Sequence, residues 1–333
     1  MIINTEMLLK FGITFGCVFL LSVLLLHWLI PILKSKKVGQ KILTIGPRWH
    51  MAKEGTPTMG GIGFIVAILV TLCGVSVYYF ICHQSELLLP LALTIGLATV
   101  NGLVGFIDDS CKLQKKVNEG LKAYQKFLLQ VAVAAVYLFA MSRSGFIHTA
   151  LELPFCSKTV ELGIWYYVLS MFLIVGIVNG ANLTDGIDGL AAGVASVIGI
   201  FFAVCAFKLD NDSLALSAAC IIGATLGFLV YNFNPACVFM GDTGSLFLGG
   251  LVTGCAFMIN KPLIILLCGS IYVIEALSVI LQVLSVQLFG KRLFRMAPIH
   301  HHFEKIGWSE KKIFFAFALF TALSCVVGWF SMR

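Results

Sequence analysis

The sequence predicts an all-α, polytopic integral membrane protein, and three observations carry that prediction. Of its 333 residues, 59% are hydrophobic and 12% charged, with mean hydropathy +0.98. A soluble domain carries about 25% charged residues. Apolar runs recur near the length that crosses a roughly 30 Å hydrocarbon layer. Basic residues collect in alternate connections between those runs.

Ten spans are expected, near 11–33, 60–82, 90–107, 124–141, 165–181, 190–207, 214–231, 243–260, 262–286 and 313–331. The first is too long for a signal peptide, has no small-residue cleavage site and is followed by Lys34, Lys36 and Lys37. The eighth is the weakest, because glycines open it. The connection after span 1 also holds Lys41, Arg48 and Lys53. Lys112, Lys115, Lys116 and Lys122 follow span 3, and Lys291, Arg292, Arg295, Lys305, Lys311 and Lys312 follow span 9. The intervening connections hold only Arg143, Lys158, Lys208 and Lys261. The positive-inside rule therefore puts the odd-numbered connections in the cytoplasm and both termini on the outer, periplasmic side. The net charge of +7 is split among loops, which suits anionic lipid and phosphate and argues against nucleic acid.

No linker or internal repeat divides the chain, so residues 1–333 read as one transmembrane domain with cytoplasmic loops. The stretch 142–164 can form a short outer hairpin. The stretch 287–312, with Phe289, Phe294 and Phe303, suits a segment in the membrane interface. Eleven cysteines occur with no C-x-x-C spacing and read as small packing residues.

The acids are the informative residues. Asp108 and Asp109 end span 3, Asp185 and Asp188 follow span 5, and Asp242 follows span 7, so all five fall at cytoplasmic span ends. Any one of them can be a solvated helix end or a cap. Five on one face, among glycine- and asparagine-rich turns, exceed that account, because carboxylates near hydrocarbon are costly. If a helix begins near Thr184, Asp185 and Asp188 share a face at i, i+3. Gly186 and Gly189 fit better a loop whose backbone approaches a ligand. Asp108 and Asp109 point about 100° apart on a helix, so one can face the site while the other pairs with Lys112 or Lys115.

In the run from Tyr231 to Ser245, Asn232 and Asn234 can fix a ring edge and Phe239 can stack on a base or anchor at the interface. Asp242, between Gly241 and Gly244, is a candidate metal ligand or a helix cap. His300, His301 and His302 lack the further Cys or His that zinc would need. In an extended turn they alternate in direction, and phosphate-facing donors are the expectation. Lys53 is either one more cytoplasmic lysine or a ligand to substrate. Glu275 and His27 lie inside spans and receive no role. No P-loop or dinucleotide-binding fingerprint is present.

Five converging aspartates would repel a phosphate unless cations stand between them. Magnesium takes oxygen ligands, completes its shell with substrate phosphates and neutralises charge in phosphoryl transfer. A nucleotide-sugar transporter would instead place polar groups near the midplane between broken helices.

Lys53-x-Gly-Thr-Pro-Thr-Met-Gly-Gly, Asp108-Asp-x-x-Lys112, Asn182-Leu-Thr-Asp-Gly-Ile-Asp-Gly-Leu190, Asn232 with Phe239-Met-Gly-Asp242-Thr-Gly-Ser245, and Ala297-Pro-Ile-His-His-His302-Phe-Glu occur in that order. Together they resemble the phospho-N-acetylmuramoyl-pentapeptide transferase family, of the polyprenyl-phosphate N-acetylhexosamine-1-phosphate transferase superfamily. The resemblance implies a homodimer of ten-span subunits in the bacterial inner membrane. It implies a magnesium-dependent enzyme that transfers phospho-MurNAc-pentapeptide from UDP-MurNAc-pentapeptide to undecaprenyl phosphate, giving lipid I and UMP. By the same resemblance Asp242 binds magnesium, and Asp108, Asp109 and Asp242 are catalytic. Lys53, Asn182, Asp185, Asp188, Asn232, Phe239, Gly241 and His300 to His302 would bind substrate. The alternative within the superfamily is transfer of N-acetylglucosamine-1-phosphate to a polyprenyl phosphate. Direct attack by the lipid phosphate and a covalent aspartyl route both remain open.

Overall fold

A computed structural model describes residues 4–36, 53, 55–83, 88–115, 120–156 and 158–332. Lys37, Lys41, Arg48, Lys116 and the Lys115 side chain lie outside that description. Twelve helices are described: α1 (Thr5–Ser35), α2 (Gly61–Ile81), α3 (Leu89–Lys115), α4 (Ala123–Arg143), α5 (Ile164–Thr184), α6 (Leu190–Leu209), α7 (Asp212–Asn232), α8 (Gly241–Met258), α9 (Ile264–Cys268), α10 (Ser270–Phe289), α11 (Ile299–Lys305) and α12 (Glu310–Ser331). The hairpin expected between spans 4 and 5 is present as β1 (Ala150–Glu152) paired antiparallel with β2 (Thr159–Glu161).

Among the described residues, nine helices are long and apolar enough to cross a membrane. The eighth expected span, α8, falls short because Asp242, Thr243, Ser245 and several glycines occupy its 18 residues. It is nevertheless enclosed by protein: every residue from Thr243 to Met258 is buried. Its glycines admit the neighbouring backbones. A Cβ on Gly105 of α3 would overlap the backbone of Asp242, and Gly61 of α2 meets Gly244 with no room for a side chain on either. Helices α6 and α7 are also interior, with 78% and 83% of their most apolar windows buried, against 22% for α10. The outer helices turn Leu, Val and Phe outward, as a lipid-facing ring requires.

Three expectations need correction. Span 9 is broken at Gly269 into α9 and α10. Helix α3 continues two turns past the expected end, so Asp108 and Asp109 lie inside it. The stretch 287–312 contains the helix α11, where the sequence shows no helical signal, and its Phe303 packs at a tilt on Trp308 with ring centroids 4.7 Å apart. All eleven cysteines are free thiols, five of them buried.

Contacts between remote segments sort the helix ends. Asn4 reaches Asp210, Lys10 reaches Asp212, and Lys261 pairs with Glu152, while Ser331 and Met332 line a cavity with Glu152 and Lys261. Both described ends of the chain therefore lie opposite the aspartate cluster.

Candidate active site

Two linked polar clusters stand at the end of the bundle formed by α3, α4, α5, α7, α8 and α12. In the first, α3 and α8 bring Asp108, Asp109 and Asp242 together, with one oxygen of each within 4.8 Å of the others. Asp108 accepts a hydrogen bond from the Leu121 amide at 2.7 Å and pairs with Lys112 one helical turn on, also at 2.7 Å. Asp109 has a different partner set. Its carboxylate accepts from the Thr243 amide at 3.0 Å, the Thr243 hydroxyl at 2.7 Å and the Asp242 amide at 3.3 Å. It therefore caps α8 from a neighbouring helix, where exposed amides and the helix dipole favour an anion. Gly241 (φ 72°) leaves room for this contact, because a Cβ there would stand 2.6 Å from Asp109 Oδ2.

Asp242 receives Lys112 Nζ at 3.0 Å, Lys126 Nζ at 2.8 Å and Asn182 Nδ2 at 2.8 Å. The same Asn182 amide donates to Ser245 Oγ at 2.8 Å, which fixes α5 against the first turn of α8. Two ammonium groups thus stand among three carboxylates. The donor set is all oxygen and fits magnesium, which takes few protein carboxylates and completes its shell elsewhere.

Asp185 and Asp188 lie in the turn between α5 and α6, not on a shared helix face. Asp185 is half-buried and its carboxylate has no hydrogen bond among the described residues. Burial, then the nearby charges of Asp242, Asp109 and Asp188, push it well above the usual carboxylate range. Asp188 belongs to the second cluster. Its carboxylate accepts from Lys53 Nζ at 2.6 Å, Asn234 Nδ2 at 3.0 Å and the Ala236 amide at 3.0 Å. Glu310, the first residue of α12, binds Lys53 Nζ at 2.6 Å and accepts from the Asp188 amide at 3.2 Å.

Asn232 is buried, with its oxygen accepting from the Gly189 amide at 3.0 Å and its amide donating to the Val238 carbonyl at 2.7 Å. Both ends of this side chain are engaged with backbone, so here it shapes the turn rather than presenting an edge. Phe239 is half-buried, and its backbone pairs with the Pro57 carbonyl and the Gly60 amide, each at 2.8 Å.

The histidines occupy α11, so they diverge by helical steps instead of alternating. His300 is buried and its Nδ1 faces Glu275 Oε1 at 3.0 Å. His301 pairs with Glu304 at 2.6 Å, and His302 Nδ1 accepts from the Arg295 amide at 3.2 Å. His27 is exposed on α1 beside Trp28.

Lys126 and Glu310 join these polar clusters although nothing in the sequence singles them out. Lys126 sits in the first turns of an apolar run, and Glu310 follows a Ser cap beside two lysines, where it reads as a helix-start acid.

Comparison with known proteins places this geometry. Residues 91–260 match the model of glycosyl transferase family 4. The chain is 45% identical over 304 residues to phospho-N-acetylmuramoyl-pentapeptide-transferase of Clostridium novyi (strain NT), covering 91% of each chain. It is 45% identical over 307 residues to the protein of that name from Caldanaerobacter subterraneus subsp. tengcongensis, covering 92% of this chain and 93% of the other. For that from Staphylococcus carnosus (strain TM300) the values are 41% over 312 residues, 93% and 95%.

Proposed function

We propose that this chain, which belongs to the phospho-N-acetylmuramoyl-pentapeptide transferase family, transfers phospho-MurNAc-pentapeptide from UDP-MurNAc-pentapeptide to undecaprenyl phosphate, forming lipid I and UMP. The observation that carries the reading is the convergence of Asp108, Asp109 and Asp242 with Lys112 and Lys126 at one end of the helix bundle. The family's substrates are two phosphates, one on a nucleotide carrier and one on a lipid, and this rim is where both can meet.

In this reading the site faces the cytoplasm of a bacterial inner membrane and both termini face outward, as the distribution of lysines and arginines supports. Asp242 would hold magnesium, which when bound would neutralise phosphate charge and orient the reacting groups. Lys112 and Lys126 turn their ammonium groups from Asp242 to the phosphates. Asp109 keeps α8 in place and so sets where Asp242 stands. Asp108 takes any proton left on the lipid phosphate, which is largely ionised near neutral pH because phosphoesters have a second pKa of about 6. That phosphate attacks in line and UMP leaves. Asn182, Asp185 and the network of Lys53, Asp188, Asn232 and Asn234 shape the nucleotide-sugar pocket, with Phe239 stacking on the base and His300 to His302 toward the phosphates. The working protein is a homodimer.

Detergent-solubilised protein supplied with both substrates and magnesium should release UMP, and omission of any one should stop it. UMP from UDP-N-acetylglucosamine instead would assign the other branch of the superfamily. Movement of intact nucleotide-sugar across vesicles without UMP would indicate a transporter. UMP released stoichiometrically with enzyme, without lipid, would replace direct attack by a covalent route.

A further inference from the structure

Two buried polar atoms beside the site have no hydrogen-bond partner, and they belong to one pair. They are Glu275 Oε2 and His300 Nε2, while the inner atoms, Glu275 Oε1 and His300 Nδ1, face each other at 3.0 Å. The side chains are 0% and 1% exposed, and the pair joins α10 to α11. Leaving such atoms unpaired in the interior is costly, because each has given up its hydrogen bonds to water. A buried polar pair of this kind is poor evidence for stability, since an apolar pair of similar volume often does as well or better.

The free edge of the imidazole has a definite neighbour. A Cβ on Gly186 would overlap His300 Nε2, so that nitrogen lies directly against the turn that carries Asp185 and Asp188. The other face of the ring packs on His301, with centroids 4.1 Å apart. A carboxylate at one ring nitrogen fixes both the imidazole plane and what the other nitrogen presents. Of the three consecutive histidines, His301 is bound to Glu304 in its own helix and His302 to the Arg295 backbone. His300 is the one braced from another helix and pressed on the turn.

We propose that Glu275 is a positioning residue: through its hydrogen bond to His300 it sets the ring that supports the Asp185–Asp188 turn, and with it the fit of the nucleotide-sugar. The inference rests on the function proposed above, which assigns that turn to the nucleotide-sugar. It accounts for a buried carboxylate and a buried imidazole kept with two atoms unpaired.

The test uses the full-length protein and measures KM for UDP-MurNAc-pentapeptide, kcat and unfolding temperature. Loss of a hydrogen bond to a charged group changes binding by about tenfold or more. Glu275→Leu and His300→Leu should therefore each raise KM about tenfold with a smaller change in kcat. The double variant should be no worse than His300→Leu alone and should unfold at or above the wild-type temperature. Glu275→Gln, which keeps an acceptor for Nδ1, should stay within about twofold of wild type in KM. If Glu275→Leu fails to fold, comparison of Glu275→Gln, His300→Leu and the double variant still decides. Multiplying KM effects in the double variant, unchanged KM in Glu275→Leu, a Gln variant as damaged as the Leu variant, or a double variant that melts well below wild type would overturn the proposal. Wild-type protein releasing no UMP would overturn the proposed function itself, whereas normal turnover with unaffected variants overturns only the role of Glu275.

Discussion

Each end of the bundle carries a lysine–carboxylate cluster, and the two are built on different principles. At the end opposite the site, Lys10 bridges Glu6 at 2.7 Å and Asp212 at 2.9 Å, and Tyr79 donates to Asp212 at 2.7 Å. Each carboxylate there has its donor and stands in the first turn of a helix, where the dipole favours it. The cluster ties α1, α2 and α7 together and asks for nothing more. At the site end, three carboxylates share two ammonium groups, and the Asp185 carboxylate beside them has no hydrogen bond among the described residues. Under the proposed function the excess carboxylates at the site end serve a ligand, whereas the balanced, capped charges opposite serve the fold.

That contrast can be broken at the site end first. Asp108→Asn should lower the rate of UMP formation by about 10²–10⁴-fold, the range for a group that moves a proton in the transition state. A variant keeping more than a tenth of wild-type activity would remove Asp108 from the chemistry. The counterpart Lys10→Met should leave turnover within about twofold and lower stability by about 1–3 kcal/mol, because it takes a cation from the largely buried Asp212.

Lys112 Nζ stands 3.0 Å from Asp242, the proposed magnesium ligand, so ammonium and metal would compete for that carboxylate. Removing the ammonium in Lys112→Met should tighten Mn²⁺ binding about tenfold, because one unit of like charge at about 4 Å is worth 1–4 kcal/mol in partly solvated surroundings. Titration by electron paramagnetic resonance, without substrate, checks this. Unchanged or weaker binding would show that Lys112 and the metal do not compete. Lys10→Met should leave the same titration unmoved.

Asp109 sharpens the comparison from within the site, because its partners resemble those of the opposite end. Asp109→Ala should destabilise the protein by about 0.5–2 kcal/mol, as loss of a helix cap does. Denaturation in detergent reads the loss. Activity falling without any change in unfolding would make Asp109 a direct participant instead.

The smallest effect concerns Asp185, whose carboxyl is held well above its ordinary value of 3.8. The folded state then binds a proton that the unfolded state has released, so stability falls as pH rises above that value. Asp185→Asn removes the dependence. Its unfolding temperature should match wild type near pH 4 and exceed it increasingly toward pH 8, while KM for the nucleotide-sugar rises. A gap that narrows with rising pH would contradict the sign.

Much of the site was legible because the recognisable residues lie in contiguous turns. The segments around Lys53, Asp108, Asp185 and Asp242 do come together, and they do so at one end. Partner choice was not legible. Asp109 and Asp108 are neighbours in sequence, yet one caps α8 and the other binds Leu121 and Lys112, a division that depends on where α8 begins. His300 read as an extended-turn donor because nothing local shows that Glu275, 25 residues away, would brace it.

By itself the sequence determined the membrane class, the positions of most spans and the clustering of the acids at span ends on one side. Hydropathy and charge act on each segment separately, so they can be read segment by segment. Only the tertiary structure decided which ammonium serves which carboxylate. Lys126 reaches Asp242 across 116 residues, and Glu310 reaches Lys53 across 257. The close approach of α2, α3 and α8 through Gly61, Gly105 and Gly244 is likewise one that no single helix specifies.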